Sequence, residues 1–253
     1  MFEGIKKVLF VSSMVAIAAL SSQPAMADFK VRLGKANVHY EGNISAPTGN
    51  SNTPQDFQSN FFGATYIWDS GIYFDLSHYW AKLDRPGGLQ DQKFDPTFTL
   101  GLAGETESGT KTSMFVGVKH GHTEYAGTPV GANTPIDNFD TNGFVLGGGL
   151  GFPMGNGTTI GVNAGIGFMR MLWGETYIGP TSPAASEDTS SMSLGYSYGV
   201  NYTIPFNQTF GLTLEYKGQN YNYKFGGTGT GPTHPSTVVE KVSTVGFNLY
   251  AQF

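Results

Sequence analysis

The strongest pattern in the chain is alternation with a period of two. Ile72, Phe74 and Leu76 interleave with Tyr73, Asp75 and Ser77. Ile160, Val162, Ala164, Ile166 and Phe168 interleave with Gly161, Asn163, Gly165 and Gly167. Met192, Leu194, Tyr196, Tyr198, Val200, Tyr202 and Ile204 interleave with Ser193, Gly195, Ser197, Gly199, Asn201 and Thr203. Successive side chains of a strand point to opposite faces, so each segment reads as a strand with one apolar and one small or polar face. A slip of one residue would exchange the faces, which specifies the register. About ten such segments are expected, over 29–40, 58–68, 71–83, 96–106, 110–122, 142–152, 158–172, 190–204, 209–225 and 239–253. The first is the weakest, because its alternation fades after Leu33.

The connections carry a second pattern. Four are short: Asp69-Ser70-Gly71, Glu107-Ser108-Gly109, Pro153-Met154-Gly155-Asn156-Gly157 and Pro205-Phe206-Asn207-Gln208. Gly and Asn supply positive φ in tight turns, and Pro ends a ladder. Five are long and polar, over 41–57, 84–95, 123–141, 173–189 and 226–238. Short and long alternate, as periplasmic turns and extracellular loops do in a transmembrane barrel. With ten strands, both termini fall on the periplasmic side. Eight strands would require two of the segments to be misread. A soluble sandwich or lipocalin-like barrel would also alternate, but with its apolar residues inside.

Residues 1–27 are excluded from this reading. Lys6 and Lys7 precede an apolar run from Val8 to Leu20, and Ala25-Met26-Ala27 closes the segment. That is the layout of a cleavable export signal, and the run is shorter than the about 20 residues of a spanning helix. The mature chain is expected to begin at Asp28, leaving one domain over 28–253. With 0 cysteines, no thiol is available for a lipid anchor, a disulfide or a zinc–thiolate site.

Composition sharpens the choice between membrane and water. Charged residues are 13% of the chain, against 36 Gly, 19 Phe and 13 Tyr. A soluble domain usually carries about 25% charge. Low charge with many glycines and aromatics suits a lipid-facing exterior, a small-residue interior and aromatic girdles. No stretch of 28–253 is apolar for long enough to be a spanning helix, so a membrane could be crossed only by a closed barrel. The net charge of −5 argues against nucleic acid as a partner.

The chain ends on one more alternating segment. Val245, Phe247, Leu249, Ala251 and Phe253 share one face, and Gly246, Asn248, Tyr250 and Gln252 the other. This resembles the C-terminal strand of bacterial outer-membrane proteins, including the terminal Phe. The chain as a whole resembles small outer-membrane barrels, such as the OmpA membrane domain, opacity-type proteins and porin-family barrels. The resemblance implies an outer-membrane location and handling by the barrel-assembly machinery, with Phe247, Leu249 and Phe253 as the assembly signal. It also implies contact with outer-membrane lipid and lipopolysaccharide.

The candidate functional residues divide by face. Lys30, Arg32, Asp75, Glu105, Lys119, Glu215 and Lys217 are expected inside. Opposite charges in a bore should pair, because an isolated buried charge costs several kcal/mol. The set reads as a network that fills the bore, or alternatively as a polar path for small solutes; small barrels are commonly filled by side chains. Tyr73, Tyr79 and Tyr250 are inward rings that could lie over glycines. Trp68, Phe152 and Phe206 at one end, and Trp80, Tyr125, Trp173, Tyr221 and Tyr223 at the other, are assigned to two interfacial girdles.

No catalytic, metal or cofactor site is expected. His120, His122 and Glu124 share one outward face but do not make a convincing ligand set. Outer-membrane omptin proteases use acidic pairs and an Asp-His pair. Here Asp75 and His78 fall on opposite faces, and Asp137 and Asp140 have no His close in sequence. His120-Gly121-His122-Thr123 does not reproduce the His and Ser of lipid A deacylases. The expected role is a surface-displayed or structural membrane protein whose loops could meet an extracellular ligand, with a narrow channel for small polar solutes as the alternative and an outer-membrane hydrolase as the third reading.

Overall fold

A computed structural model describes residues 28–46, 49–85, 89–126, 133–179, 189–225 and 236–253. The expected export signal lies outside the described residues. The chain forms ten strands: β1 (Asp28–Ala46), β2 (Gly49–Ile67), β3 (Ile72–Asp84), β4 (Gln90–Glu105), β5 (Lys111–Ala126), β6 (Thr134–Pro153), β7 (Thr159–Ile178), β8 (Thr189–Pro205), β9 (Phe210–Lys224) and β10 (Thr237–Gln252). Each pairs antiparallel with its sequence neighbours, and β10 returns to β1, so the sheet is a closed barrel. Closure leaves no edge, which is what lets strands cross hydrocarbon.

The last bonds of closure join the two ends of the described chain. The Phe253 N–H donates to the Phe29 carbonyl at 2.8 Å, and the Phe29 N–H donates to the Phe253 carbonyl at 3.0 Å. The four short turns fall where the sequence places them. Gly71, Gly109, Gly155, Asn156 and Gly157 all have positive φ, between 51° and 86°. Asn207 Oδ1 accepts from the backbone N–H groups of Thr209 and Phe210 at 2.8 and 2.7 Å and shapes the fourth turn.

The strands are longer than the hydrophobic pattern indicates. Much of the expected loops 41–57 and 123–141 is ladder: β1 and β2 pair continuously up to Ala46↔Gly49, and β5 and β6 up to Ala126↔Ile136; the described ends of 84–95, 173–189 and 226–238 also add strand residues. The reason is a change of surroundings along each strand. Below, the outer face meets lipid and is apolar, as at Leu33, Phe144, Leu146 and Leu194. Above, the outer face is polar, with Lys35, Asn37 and His39 on β1, while Ala36, Val38 and Tyr40 turn inward and are buried. The apolar residues thus change sides, and a fixed-phase reading ends where they cross over. Both patterns keep period two; only the phase differs.

Candidate functional site

The bore is unequal along its length. Its half away from the four short turns, the upper half, is packed with large side chains. Val38, Tyr40, Phe57, Phe61, Tyr125, Phe139, Met169, Met171, Trp173, Tyr221, Tyr223 and Val242 form one buried cluster. Tyr125 stacks on Phe139 with centroids 5.6 Å apart, and Tyr40 meets the same ring at 6.3 Å. The lower half, next to the short turns, is lined by small and polar residues. It encloses a vestibule of about 540 Å³ bounded by Glu105, Lys111, Ser113, Gly161, Asn163 and Asn201.

Buried charges lie within the packing. The Arg32 guanidinium meets the Asp75 carboxylate, which also accepts from Thr65 Oγ1 at 2.6 Å. Glu215 accepts from the Tyr79 hydroxyl and lies 3.2 Å from Lys217 Nζ, and Lys217 donates to the Tyr79 oxygen at 2.8 Å. Higher up, Lys119 Nζ sits 3.1 Å from Asp95 and donates to Gln219 Oε1 at 2.5 Å. Asp91 is wholly buried and receives both Arg85, at 2.6 Å from Nε, and the Ala126 N–H, at 2.9 Å. Lys93 donates to Thr123 Oγ1 at 3.2 Å and stands 5.1 Å from the Tyr40 ring centroid. Tyr223 donates to Glu240 at 3.4 Å.

Five of the seven residues expected inside therefore take part in paired charge: Arg32, Asp75, Lys119, Glu215 and Lys217. Lys30 is held differently, with its ammonium 3.8 Å from the Tyr250 ring centroid. Glu105 stands at the mouth on the short-turn side, opposite Lys111 in register. Asp91, Lys93 and Asp95 escaped the sequence reading because 84–95 was assigned to a loop. Glu240 escaped because it lies at the start of the last segment. The inward parity of β4, extended upward from Gly101 and Thr99, would have found the first three.

The girdle assignment needs correction. Trp68, Trp80, Phe152 and Phe206 are exposed. Trp173, Tyr221, Tyr223 and Tyr125 are instead buried in the bore. These lie where the apolar residues have turned inward, so rings that look like headgroup anchors are interior packing. Their parity already carried the signal: Trp173 shares a face with Gly161 and Asn163, and Tyr221 and Tyr223 share one with Glu215 and Lys217. The inward tyrosines do meet glycines. A Cβ on Gly101 would lie 2.6 Å from the Tyr73 ring, and one on Gly167 would lie 2.7 Å from the Tyr221 hydroxyl.

The four described histidines, His39, His78, His120 and His122, lie on the outward parity of their strands. His39 lies on the outer face between Asp56, at 2.7 Å, and Glu41, at 3.2 Å. His122 meets Asp140 at 2.6 Å, and His120 meets Asn142 at 2.5 Å. His78 stacks on Trp80 with centroids 5.2 Å apart. His234 lies outside the described residues. Among the described residues, no group of three or more His, Cys, Asp or Glu is disposed to hold a metal ion. On the upper part of β6, away from the short turns, Asp137 accepts from the Trp173 indole at 3.2 Å. Burial pushes its carboxyl up to about 6, and the charge of Glu175 adds to the rise.

No family model and no curated protein sequence matches this chain. Among solved structures it is similar to the outer membrane protease OmpT from Escherichia coli, at 10% identity, covering 91% of this chain and 98% of that one with a TM-score of 0.59. Looser likenesses are the translocator domain of the autotransporter NalP from Neisseria meningitidis, at 9% identity, 97% and 96% coverage and TM-score 0.43, and Neisserial surface protein A, at 10%, 89% and 97%, and 0.41. The first carries the argument, and at that identity it speaks to fold and not to activity. This chain has the closed antiparallel β-barrel fold of outer-membrane proteins.

Proposed function

We propose that this is an outer-membrane barrel that does not conduct, and that acts through its extracellular rim or as a structural component of the membrane. The observation that supports this is the sealed upper bore, where Tyr40, Tyr125, Phe139 and Tyr223 are essentially without solvent contact. A small solute would have to displace them together with the Lys119–Asp95 and Glu215–Lys217 pairs. Paired buried charges resist such disruption, because separating them leaves each uncompensated. In this reading the chain is exported, loses residues 1–27 and is inserted by the barrel-assembly machinery through its C-terminal strand. The extended strands then lift the five loop connections clear of the lipid headgroups, where an extracellular ligand could meet them.

The periplasmic vestibule favours the alternative, a narrow channel for small polar solutes. Recording of the purified barrel in planar bilayers separates the two. No discrete conductance steps are expected; reproducible steps would replace the first reading with the second. Fractionation should place the protein in the outer membrane, and recovery from the soluble periplasm would overturn the location.

A further inference from the structure

Two register rows cross the cavity of about 540 Å³ in the lower bore. The lower row runs Glu105↔Lys111↔Gly151↔Gly161↔Asn201 over β4 to β8, and the upper runs Ala103↔Ser113↔Gly149↔Asn163↔Gly199. Two opposite charges therefore stand at one side, two carboxamides at the other, and glycines between them. Neighbouring strands lie about 4.8 Å apart, so Lys111 and Asn201 are separated by about 14 Å along the wall. Above, rings lie over glycines and close the cavity. A Cβ on Gly147 would lie 2.6 Å from the Phe115 ring, as one on Gly101 would from Tyr73.

The polar groups here differ from those higher in the bore. Arg32, Asp75, Lys119, Glu215 and Lys217 are all in ion pairs. Glu105 and Lys111 are in none among the described residues, although they are cross-strand neighbours. The two carboxamides lie flat on the wall, where only glycine leaves room for them. A Cβ on Gly199 would lie 2.8 Å from Asn163 Oδ1, and one on Gly161 would lie 2.6 Å from Asn201 Oδ1. Neither amide side chain bonds to another group among the described residues. The unmet polar groups and the open volume of the bore thus coincide. Lys30, on β1, is near enough to Lys111 for the two charges to act on each other, which strengthens the positive field there.

This set complements a solute that carries both charges. An anion alone would meet Glu105 as a repulsive neighbour, and a cation alone would meet Lys111. Because Glu105 and Lys111 are adjacent, they suit an ammonium and a carboxylate joined through one carbon. A carboxamide offers both a donor and an acceptor, and so matches another amide or a hydroxyl. The volume falls within the about 300–1,000 Å³ of ligand-sized clefts.

We infer that this cradle binds one free α-amino acid with an amide or hydroxyl side chain, its ammonium on Glu105, its carboxylate on Lys111 and its side chain between Asn163 and Asn201. The inference rests on the sealed upper bore, which makes the cavity a pocket and not a passage, and on the orientation in which short turns face the periplasm. The solute enters and leaves on that side.

The test uses the full barrel refolded in detergent micelles, isotope-labelled on nitrogen and titrated with L-glutamine. The backbone amide signals of Gly149, Gly151 and Gly161 should move saturably, and that of Gly42, far up the bore, should stay. Two analogues divide the ligand. Glutaric acid monoamide lacks the ammonium and should bind about tenfold more weakly, the scale of one hydrogen bond to a charged group. L-norvaline lacks the amide and should bind about threefold more weakly, the scale of a neutral one. Glu105→Gln and Lys111→Met should each weaken glutamine binding about tenfold, and Asn201→Ala about threefold. Lys35→Gln, an exposed cation on the outer face of β1, should bind as wild type does.

No saturable movement of the three glycine signals, or undiminished affinity in Glu105→Gln and Lys111→Met, would overturn the site. Binding of the monoamide as tight as that of glutamine would make this an anion pocket and overturn the amino-acid assignment. Heat-modifiable gel migration reports whether each variant is folded. Conductance steps in planar bilayers with glutamine binding intact would count against the sealed bore and not against the site.

Discussion

Phe168 and Met169, adjacent on β7, stand back to back across the barrel wall, the first 52% exposed and the second 1% exposed. Below this point the apolar side chains of β7 face out, at Val162 and Ile166. Above it they face in, at Met171 and Trp173. The same crossover occurs on β1 between Leu33 and Ala36, and on β10 between Val245 and Val242. It marks the level at which lipid outside gives way to water, and at which a loosely filled vestibule gives way to a packed bore.

A charge on the outer face should therefore be costly below the crossover and tolerated above it. Leu146→Arg, on the outer face below the crossover, should destabilise the barrel by about 2–4 kcal/mol. Gln58→Arg, on the water-exposed outer face of β2, should change stability by less than about 0.5 kcal/mol. Urea titration in lipid vesicles, followed by the folded band on an unboiled gel, gives both values. Equal costs would mean that the apolar band is misplaced.

Phe253 closes the ladder through its reciprocal backbone bonds with Phe29, and its ring is exposed on the same face as Phe247 and Leu249. Phe253→Asp, or deletion of Phe253, should slow assembly and leave unfolded chain in the periplasm. The fraction of heat-modifiable protein in isolated membranes measures this. A wild-type fraction in both variants would remove the C-terminal strand as an assembly signal.

Asp91 holds the end of β5 to the segment after β3 by taking the Ala126 N–H and the Arg85 guanidinium. Asp91→Ala leaves both donors without their acceptor, at a loss on the order of 3 kcal/mol. Asp91→Asn keeps an oxygen acceptor and should lose less. Denaturant midpoints of the two variants decide this, and an unchanged midpoint for Asp91→Ala would show that water replaces the carboxylate.

Two groups outside the apolar band make stability depend on pH in separate windows. Asp137 has its folded pKa raised to about 6 from an ordinary 3.8, chiefly by burial. Between these values the folded state holds a proton that the unfolded state has released, so stability falls as pH rises through the window. At neutral pH the ionised group costs about 2–3 kcal/mol, and Asp137→Asn should recover most of it and flatten the slope. His39 is raised above its ordinary 6.5 by hydrogen bonds to Asp56 and Glu41. Its contribution is complete below 6.5 and is lost as pH rises through the folded value; His39→Gln should reduce that second slope, to which His122, raised by its hydrogen bond to Asp140, also contributes. Urea midpoints from pH 4 to pH 9 separate the two windows.

The alternation of Ile160 to Phe168 and of Met192 to Ile204 made the membrane strands readable, because lipid imposes one apolar face and neighbouring strands need no other information. The glycines at 71, 109, 155 and 157 made the short turns readable, because positive φ is a local demand. The charge pairs were half readable. Parity put Arg32, Asp75, Glu215 and Lys217 on one face, but nothing local joins Tyr79 of β3 to Lys217 of β9 across the bore. Above the crossover the reading failed in a consistent way. Trp173, Tyr221 and Tyr223 were assigned to the membrane surface, and Asp91, Lys93 and Asp95 to a loop.

What the order of residues determined by itself was the strand alternation, the turns and hence the barrel, since these follow from backbone geometry and a single solvent boundary. What only the tertiary structure decided was which side of the wall each apolar residue takes along the upper strands, and which charges meet inside. Those outcomes depend on closing ten strands into one ring. Closure brings residues far apart in sequence within hydrogen-bonding distance, and it sets the height at which the outside of each strand passes from lipid to water.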